Sequence, residues 1–196
     1  MPDPVALGFD TSAAHCAAAL LRGDRILAHR HEEMAKGQAE RLFPLLEEVL
    51  ADAGLGWGDL GVIGVGIGPG NFTGIRIAVA AARGLALSRG IPAVGVSATE
   101  AAAFGLPRPC RVALPLRTGQ VVWQDFGTGA GDCPQQAAAG SLPPGPAPAA
   151  PAVPPAEAIA RIALARRATP GPRPAPLYLR PADAAPARDA APLILP

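Results

Sequence analysis

The chain has 196 residues, enough for one or two small domains with a buried core. Its formal net charge of +1 gives no strong positive field to attract nucleic acid, so a partner would have to bring it to such a substrate. The sequence shows no basic, apolar leader and no run of about 18 apolar residues, so we expect a cytoplasmic protein without a membrane span.

The first predicted elements are three short strands, VALGF (5–9), CAAALL (16–21) and RILAHRH (25–31). The turn-forming sequences SAAH and RGD separate them, which indicates an antiparallel meander. The next segment, GQAERLFPLLEEVLADAG, repeats apolar residues at three- and four-residue steps and therefore predicts a helix. Because proline is tolerated only in the first turn or at a kink, Pro44 predicts that the regular helix begins near Arg41, and Gly54 is expected to end it.

A buried strand, VIGVGI (62–67), comes next, followed by a glycine-rich loop and a helix over residues 75–90. PAVGVS (92–97) then returns to strand. This strand–helix–strand order predicts a parallel crossover. Together with the meander, it makes residues 1–104 one α/β domain with a mixed sheet.

Composition changes near Cys133, because 8 of the 24 prolines precede it and 16 follow it. RVALPL and QVVWQDF predict two strands around a turn at Thr118 and Gly119. The Ala/Pro-rich stretch 134–155 is expected to be a loop or extended linker. A helix over 156–168 and a last strand over 176–180 complete residues 105–196, which we predict to be a second, reduced subdomain.

The glycine-rich loop, GIGPGNFTGIRIAVA (66–80), has two interpretations. Gly68, Gly70 and Gly74 would let a phosphate approach backbone N–H groups at the start of a helix. However, neither the Walker spacing with its lysine nor G-x-G-x-x-G is present. The alternative is a tight turn in which Asn71 or Thr73 caps the helix, and we favour that alternative.

Side chains with catalytic potential are few. Asp10 and Thr11, at the end of the first strand, could hold a metal–phosphate through water or could close an Asx turn. His29 and His31 share a face of one strand, but no carboxylate or thiol completes a metal site, so we favour solvated histidines. Cys16, Cys110 and Cys133 are dispersed, which is typical of reduced thiols. We therefore expect no metal and no other cofactor.

The helix after the glycine loop is unusually apolar. It consists almost entirely of Ala, Val, Ile and Leu, interrupted by Arg76 and Arg83, which are seven residues apart and share a face. A helix that is apolar nearly all round must be covered on nearly all sides. One side is expected to meet its own sheet, and the other a neighbouring helix or another protein chain.

Four blocks of sequence occur in an order and spacing that closely resemble the TsaB (YeaZ) family of the bacterial tRNA threonylcarbamoyladenosine system. They are GFDTSAAHCAAALL, AERLFPLLEEVLADAG, GIGPGNFTGIRIAVAAARGLAL and PAVGVSATEAAA. The likeness covers roughly residues 5 to 104, and the signature GPG-[SN]-F-T-G-[IL]-R corresponds to Gly68–Arg76. PLYLRP resembles the family's C-terminal segment.

The resemblance implies an actin-like ATPase (ASKHA) fold with two related subdomains and a non-catalytic role. Family members pair with a homologous catalytic subunit, TsaD, which carries the metal and nucleotide site, and a small ATPase, TsaE, joins them. The assembly transfers threonylcarbamoyl to N6 of the adenosine just 3′ of the tRNA anticodon. Alone, the chain is expected to form homodimers through the helices 38–53 and 73–88, which would also meet the partner. A charge at Val79 should block pairing with that partner.

The resemblance also points to site residues. By position, the helices that meet the partner are 38–53 and 73–88, and the expected contact residues are Leu42, Leu46, Val49, Ile75, Arg76, Val79 and Arg83. The candidates for lying near a nucleotide are Asp10, Thr11, Gly68, Gly70 and Thr73.

The chain departs from the family pattern at two places. Gln38 stands where many relatives have histidine, and Pro115-Leu116-Arg117 where they commonly have Asp-Ala-Arg. Proline suits only an edge or bulge of a sheet, which favours a reduced second subdomain.

Two other functions remain open. A stand-alone ATP-dependent kinase of the same superfamily would need a second phosphate loop, for which GTGAGD (127–132) is the candidate. A metal-dependent peptidase would need a histidine pair on a helix, whereas His29 and His31 belong to a predicted strand.

Overall fold

The computed structural model describes residues 3–116, 119–129 and 133–179. Its strands are β1 (Val5–Asp10), β2 (His15–Arg22), β3 (Arg25–Glu33), β4 (Leu60–Gly66), β5 (Ala93–Val96), β6 (Cys110–Pro115), β7 (Gln120–Phe126) and β8 (Gln135–Ala138). Its helices are α1 (Gln38–Asp52), α2 (Phe72–Arg89), α3 (Ala98–Ala103) and α4 (Pro155–Arg166), with a 3-10 turn over Trp57–Asp59.

The larger sheet has five strands in the order β3-β2-β1-β4-β5. β1, β2 and β3 pair antiparallel, whereas β4 pairs parallel with both β1 and β5. Helix α2 connects the parallel strands β4 and β5. The predicted meander, crossover and mixed-sheet α/β class are therefore confirmed.

Helices cover both faces of the larger sheet. Leu7 and Phe9 of β1 point to the face that α1 and α2 cover, and both are fully buried in that core. Gly8, between them, points to the other face, where a Cβ atom would lie 2.5 Å from the carbonyl oxygen of Ala156 in α4. Because side chains alternate along the strand, bulky residues fill the core on one face, and glycine on the other face lets α4 pack close to β1.

Helix α1 begins earlier than predicted, at Gln38 instead of near Arg41, and Pro44 lies inside it. The proline ring fits the helical φ angle, but its missing N–H leaves the carbonyl of Glu40 without a helical donor. Both residues are exposed, so water can hydrate that carbonyl. Gly54, with φ of +64°, follows the end of the helix as predicted.

The smaller sheet has the order β6-β7-β8 and is antiparallel throughout. β6 and β7 were predicted, and Pro115 ends the edge strand β6, where a missing donor is tolerated. β8 corrects the prediction of a loop from residue 134, because residues 135–138 pair with β7. The predicted turn residue Thr118 lies outside the described residues.

The chain then returns to the larger sheet. α4 packs its buried side, including Ile159 and Ala163, on that sheet, although it follows the smaller sheet in sequence. The predicted strand over 176–180 is wrong for residues 176–179, which form no strand. The N–H of Leu177 donates to the carbonyl of Ile67, just beyond β4, at 2.8 Å. Prolines 174 and 176 have no N–H to donate to a ladder. Arg180 lies outside the described residues.

Candidate functional site

An apolar groove runs between the outer sides of α1 and α2. It has a volume of about 400 Å³ and is lined by Ala39, Leu42, Phe43, Ile77, Ala80, Ala81, Gly84, Leu85 and Ser88. None of these residues is charged. Phe43 is 43% exposed, and Leu87, farther along α2, is 81% exposed. We call this surface the α1–α2 groove.

The structure corrects the choice of contact residues on these helices. Leu42, Leu46, Val49 and Ile75 are fully buried, and Val79 is only 3% exposed. The reason is that the regular apolar stripe of a helix faces its own sheet, so it marks the core before it marks an interface. A charge at Val79 would enter this core, whereas Ala80, the next residue, faces outward into the groove.

Of the predicted contact residues, the two arginines remain exposed. Arg76 stands over the ring of Phe72, 3.7 Å from its centroid, and its Nε donates to the hydroxyl of Tyr178 at 2.9 Å. Phe72 and Tyr178 stack with centroids 4.7 Å apart. The sequence could not reveal this cluster, because Tyr178 lies 102 residues beyond Arg76.

The glycine-rich loop packs tightly on the turn between β1 and β2. The side chain of Asn71 accepts from Gly74 N–H at 3.0 Å and so caps α2, as one of the two predicted capping residues. The N–H of Asn71 donates to the carbonyl of Ser12 at 2.6 Å. A side chain at Gly70 would collide with that same carbonyl, and one at Gly74 with the carbonyl of Thr11. These two glycines thus allow the backbone of the loop to pack directly against the backbone of the β1–β2 turn.

Asp10 is buried and held by local partners. Its Oδ1 accepts from Ser12 N–H at 3.1 Å, and its Oδ2 accepts from Ser12 Oγ at 3.0 Å and lies 2.7 Å from His15 Nε2. Thr11 Oγ1 donates to the carbonyl of Gly74 at 2.7 Å. Of the two interpretations of Asp10 and Thr11, this geometry supports the Asx turn.

The remaining nucleotide-proximal candidates lie in the same region. Gly68 has φ of +92°, which favours glycine, and its α-carbon faces Ile75 and Leu177. Thr73 is exposed at the start of α2. Gly70 and Thr73 both line a cleft of about 890 Å³ between the larger and the smaller sheet.

The cleft has a polar end and an apolar body. Asp10, Ser12, His15 and Asn71 line the polar end. The body is lined mainly by Ala98, Ala101, Ala102, Leu114, Pro115, Leu116, Val122, Pro151, Val153, Pro155 and Ile159. No lysine or arginine is among the described lining residues. We call this space the intersheet cleft.

The described residues offer little catalytic chemistry. Within residues 3–116, 119–129 and 133–179, no three His, Cys, Asp or Glu side chains are placed to hold a metal ion. His29 and His31 lie on the strand β3 and are exposed. Burial raises the pKa of the Cys16 thiol to about 11, so this thiol is unreactive near neutral pH. Of the candidate phosphate loop 127–132, residues 130–132 lie outside the described part of the chain.

No helix in the described part of the chain combines the length and the apolar content needed to cross a bilayer.

Comparison with known proteins finds proteins of tRNA threonylcarbamoyladenosine biosynthesis. Residues 28–126, about half of the chain, match the family model described as TsaD, tRNA N6-adenosine threonylcarbamoyltransferase. The chain is 34% identical over 125 residues to the tRNA threonylcarbamoyladenosine biosynthesis protein TsaB of Escherichia coli, covering 61% of this chain and 54% of that protein. It is 32% identical over 197 residues to an uncharacterized protein of Mycobacterium tuberculosis strain H37Rv, covering 92% and 93%.

The matched part of the curated TsaB proteins is about half of their length: 54%, 43% and 60% for the proteins of Escherichia coli, Haemophilus influenzae and Buchnera aphidicola. A solved structure, YeaZ from Pseudomonas aeruginosa, aligns with a TM-score of 0.71 over 90% of this chain and 100% of that chain, at 24% identity. This likeness shows that the chain has the YeaZ fold.

Proposed function

Because the chain belongs to the TsaB (YeaZ) family, we propose that it acts in the biosynthesis of threonylcarbamoyladenosine in tRNA. Within that process it is a non-catalytic scaffold subunit of a cytoplasmic complex. It pairs with a TsaD-like catalytic subunit, a TsaE-like ATPase joins the pair, and tRNA is reached through the assembly. The modified position is the adenosine 3′ of the anticodon.

The observation that carries this proposal is the α1–α2 groove. Its lining is uncharged and mostly apolar, and Phe43 is left 43% exposed beside it. Such a surface on a small protein is typical of a docking site. The small residues Ala80, Ala81 and Gly84 leave room for a helix of another chain to approach closely. Without the partner, the same surface favours a homodimer, since a two-fold interface uses one patch twice.

The non-catalytic role is supported by how the polar groups are used. Asp10 accepts bonds from Ser12 and contacts His15, and the loop donor Asn71 N–H is bonded to Ser12. A kinase of this superfamily would need groups that hold ATP phosphates, and the intersheet cleft presents neither lysine nor arginine among its described lining residues. The cleft therefore favours the scaffold over the kinase.

The first measurement is size-exclusion chromatography with light scattering, on this protein alone and mixed with a TsaD-like subunit from the same organism. Calorimetric titration with Mg-ATP uses the same samples. We expect a homodimer alone, a heterodimer in the mixture, and no heat of ATP binding by this chain by itself. Tight ATP binding together with the absence of a heterodimer would overturn the proposal in favour of the kinase.

A matched pair of variants then tests the surface. Ala80→Glu places a charge in the α1–α2 groove, whereas Ala165→Glu places the same charge on an exposed position of α4, on the other side of the sheet. Because a desolvated, unpaired charge is costly in an interface, Ala80→Glu should weaken the heterodimer more than tenfold. Ala165→Glu should leave the affinity unchanged, and both variants should melt like the wild type. Normal pairing by Ala80→Glu would show that another surface is used.

A further inference from the structure

We propose that the intersheet cleft is a binding site for an uncharged, mainly apolar small molecule. This site is separate from the α1–α2 groove, and its occupancy does not depend on the proposed function.

The dimensions of the cleft suit such a ligand. Its volume of about 890 Å³ falls in the range of roughly 300–1,000 Å³ that small-molecule sites occupy. Its walls come from separate parts of the fold: Ala101 from α3, Leu114 from β6 and Ile159 from α4. A ligand there would touch elements of both sheets and would bury apolar surface on several sides, which is the main source of affinity for an uncharged molecule.

The charges of the cleft exclude a polyphosphate and favour an uncharged ligand. Asp10 is the only carboxylate in the described lining, and it would repel an incoming phosphate. Among the described lining residues, no lysine or arginine offsets that repulsion. The loop N–H groups of Asn71 and Gly74, which a phosphate would need, already donate within the protein.

The polar end of the cleft can orient the ligand. Asp10 uses three of about four acceptor positions of its carboxylate for Ser12 and His15, so a hydroxyl or amide N–H of a ligand could take the last one. Thr73, exposed at the mouth, supplies a hydroxyl that can donate or accept. We therefore expect a molecule with an apolar body and one polar group.

The test is a fluorescence titration of the full chain with Nile red, an uncharged apolar probe. Leu114→Trp adds bulk in the half-buried wall of the cleft, and Thr73→Trp adds it at the exposed mouth. Leu87→Trp is the matched control, since Leu87 is 81% exposed on α2 and does not line the cleft. We expect binding of one probe per chain, at least tenfold weaker in both cleft variants and unchanged in the control. Should Leu114→Trp fail to fold, Thr73→Trp carries the test.

Two further titrations separate this site from the groove and from a nucleotide site. Ala80→Glu should leave probe binding unchanged, because Ala80 lines only the α1–α2 groove. Mg-ATP should not displace the probe. Binding that is absent, unaffected by Thr73→Trp, lost in Ala80→Glu or displaced by Mg-ATP would overturn the proposal. Loss in Ala80→Glu would contradict this inference while leaving the groove available for the proposed partner.

Discussion

The two sheets of this protein are stabilised in different ways. The five-stranded sheet is covered on both faces, with Leu7 and Phe9 in one core and Ala6 in another. The three-stranded sheet has a small apolar cluster around Cys110 and Val112, and it depends in addition on a buried ion pair. A large sheet can be held by apolar burial, whereas a small sheet needs specific polar contacts to fix its loops.

That ion pair joins β6 to β7 near one end of the smaller sheet. Arg111 donates from Nε and Nη2 to the two carboxylate oxygens of Asp125, at 2.6 and 2.7 Å. Its Nη1 donates to the carbonyl of Pro143 at 2.6 Å, and its guanidinium stands 4.7 Å from the ring centroid of Trp123. One side chain thus joins two strands and the proline-rich loop. The comparison predicts that the sheets respond differently to core truncation, to acid and to thiol reagents.

The largest expected effect is in the larger sheet. Phe9 is fully buried, so Phe9→Ala should lower the free energy of unfolding by about 3–5 kcal/mol, measured by urea denaturation. Phe43→Ala is the matched control, because Phe43 is 43% exposed in the groove; it should cost less than about 1 kcal/mol. A similar loss in both variants would mean that the core on this face does not dominate stability.

The second effect contrasts two glycines. Gly8→Ala would push a methyl group against the backbone of α4 and should cost about 1–3 kcal/mol. Gly84→Ala enters open space in the middle of α2 and should raise stability by about 0.5–1 kcal/mol, because glycine disfavours helix. The same chemical change should therefore have opposite signs in the same urea measurement. If Gly8→Ala were not destabilising, the close contact with α4 would not be the reason for Gly8.

These two glycines also show how far the sequence could predict the structure. The meander, the crossover and the end of α1 follow from local alternation, turn residues and the position of Gly54, all of which are short-range signals. The need for Gly8 depends on α4, which is about 150 residues away and meets β1 only in the folded chain. No local pattern around Gly8 contains that information.

The candidate site could be predicted only in part, because local patterns do not show which residues meet in the folded chain. The resemblance pointed to the helices 38–53 and 73–88, and the contact residues predicted on them include Leu42 and Val79, which are buried. Apolar periodicity marks the side of a helix that meets its own core. Ala80 and Gly84 could have been found as small residues on the opposite side of a helix that is apolar all round. The intersheet cleft could not, because its walls come from separate elements.

The two sheets should differ in their stability at low pH. Hydrogen bonds from Arg111 lower the pKa of Asp125 in the folded protein. Its contribution to stability is therefore present above the unfolded carboxyl pKa of about 4, and it is lost as pH falls through the lower folded value. Arg41 likewise lowers the pKa of Glu32 in β3 and of Glu48 in α1, but water screens those groups. The smaller sheet should loosen first.

The two tryptophans make this measurable, since Trp57 packs against the core of the larger sheet and Trp123 lies in β7. In Trp57→Phe the remaining Trp123 reports on the smaller sheet, and in Trp123→Phe the remaining Trp57 reports on the larger sheet. During acid titration the first signal should change at higher pH than the second. With Asp125→Asn added, the first signal should lose this pH dependence. Coincident transitions in all variants would show that the sheets unfold as one unit.

The smallest effect is the difference in opening between the sheets near neutral pH, and one buried thiol in each can report it. Cys16 lies in β2 and Cys110 in β6, whereas Cys133 is exposed. In Cys133→Ser, maleimide must wait for local opening, because a buried thiol is shielded and burial raises the pKa of Cys16 to about 11. We expect Cys110 to react at least tenfold faster than Cys16, measured by mass spectrometry of peptides at pH 7.5.

Adding Asp125→Asn should increase the reaction rate of Cys110 alone, since only the smaller sheet loses its ion pair. Equal acceleration of both thiols would mean that opening is global, and the distinction between the two sheets would then hold for their contacts but not for their stability.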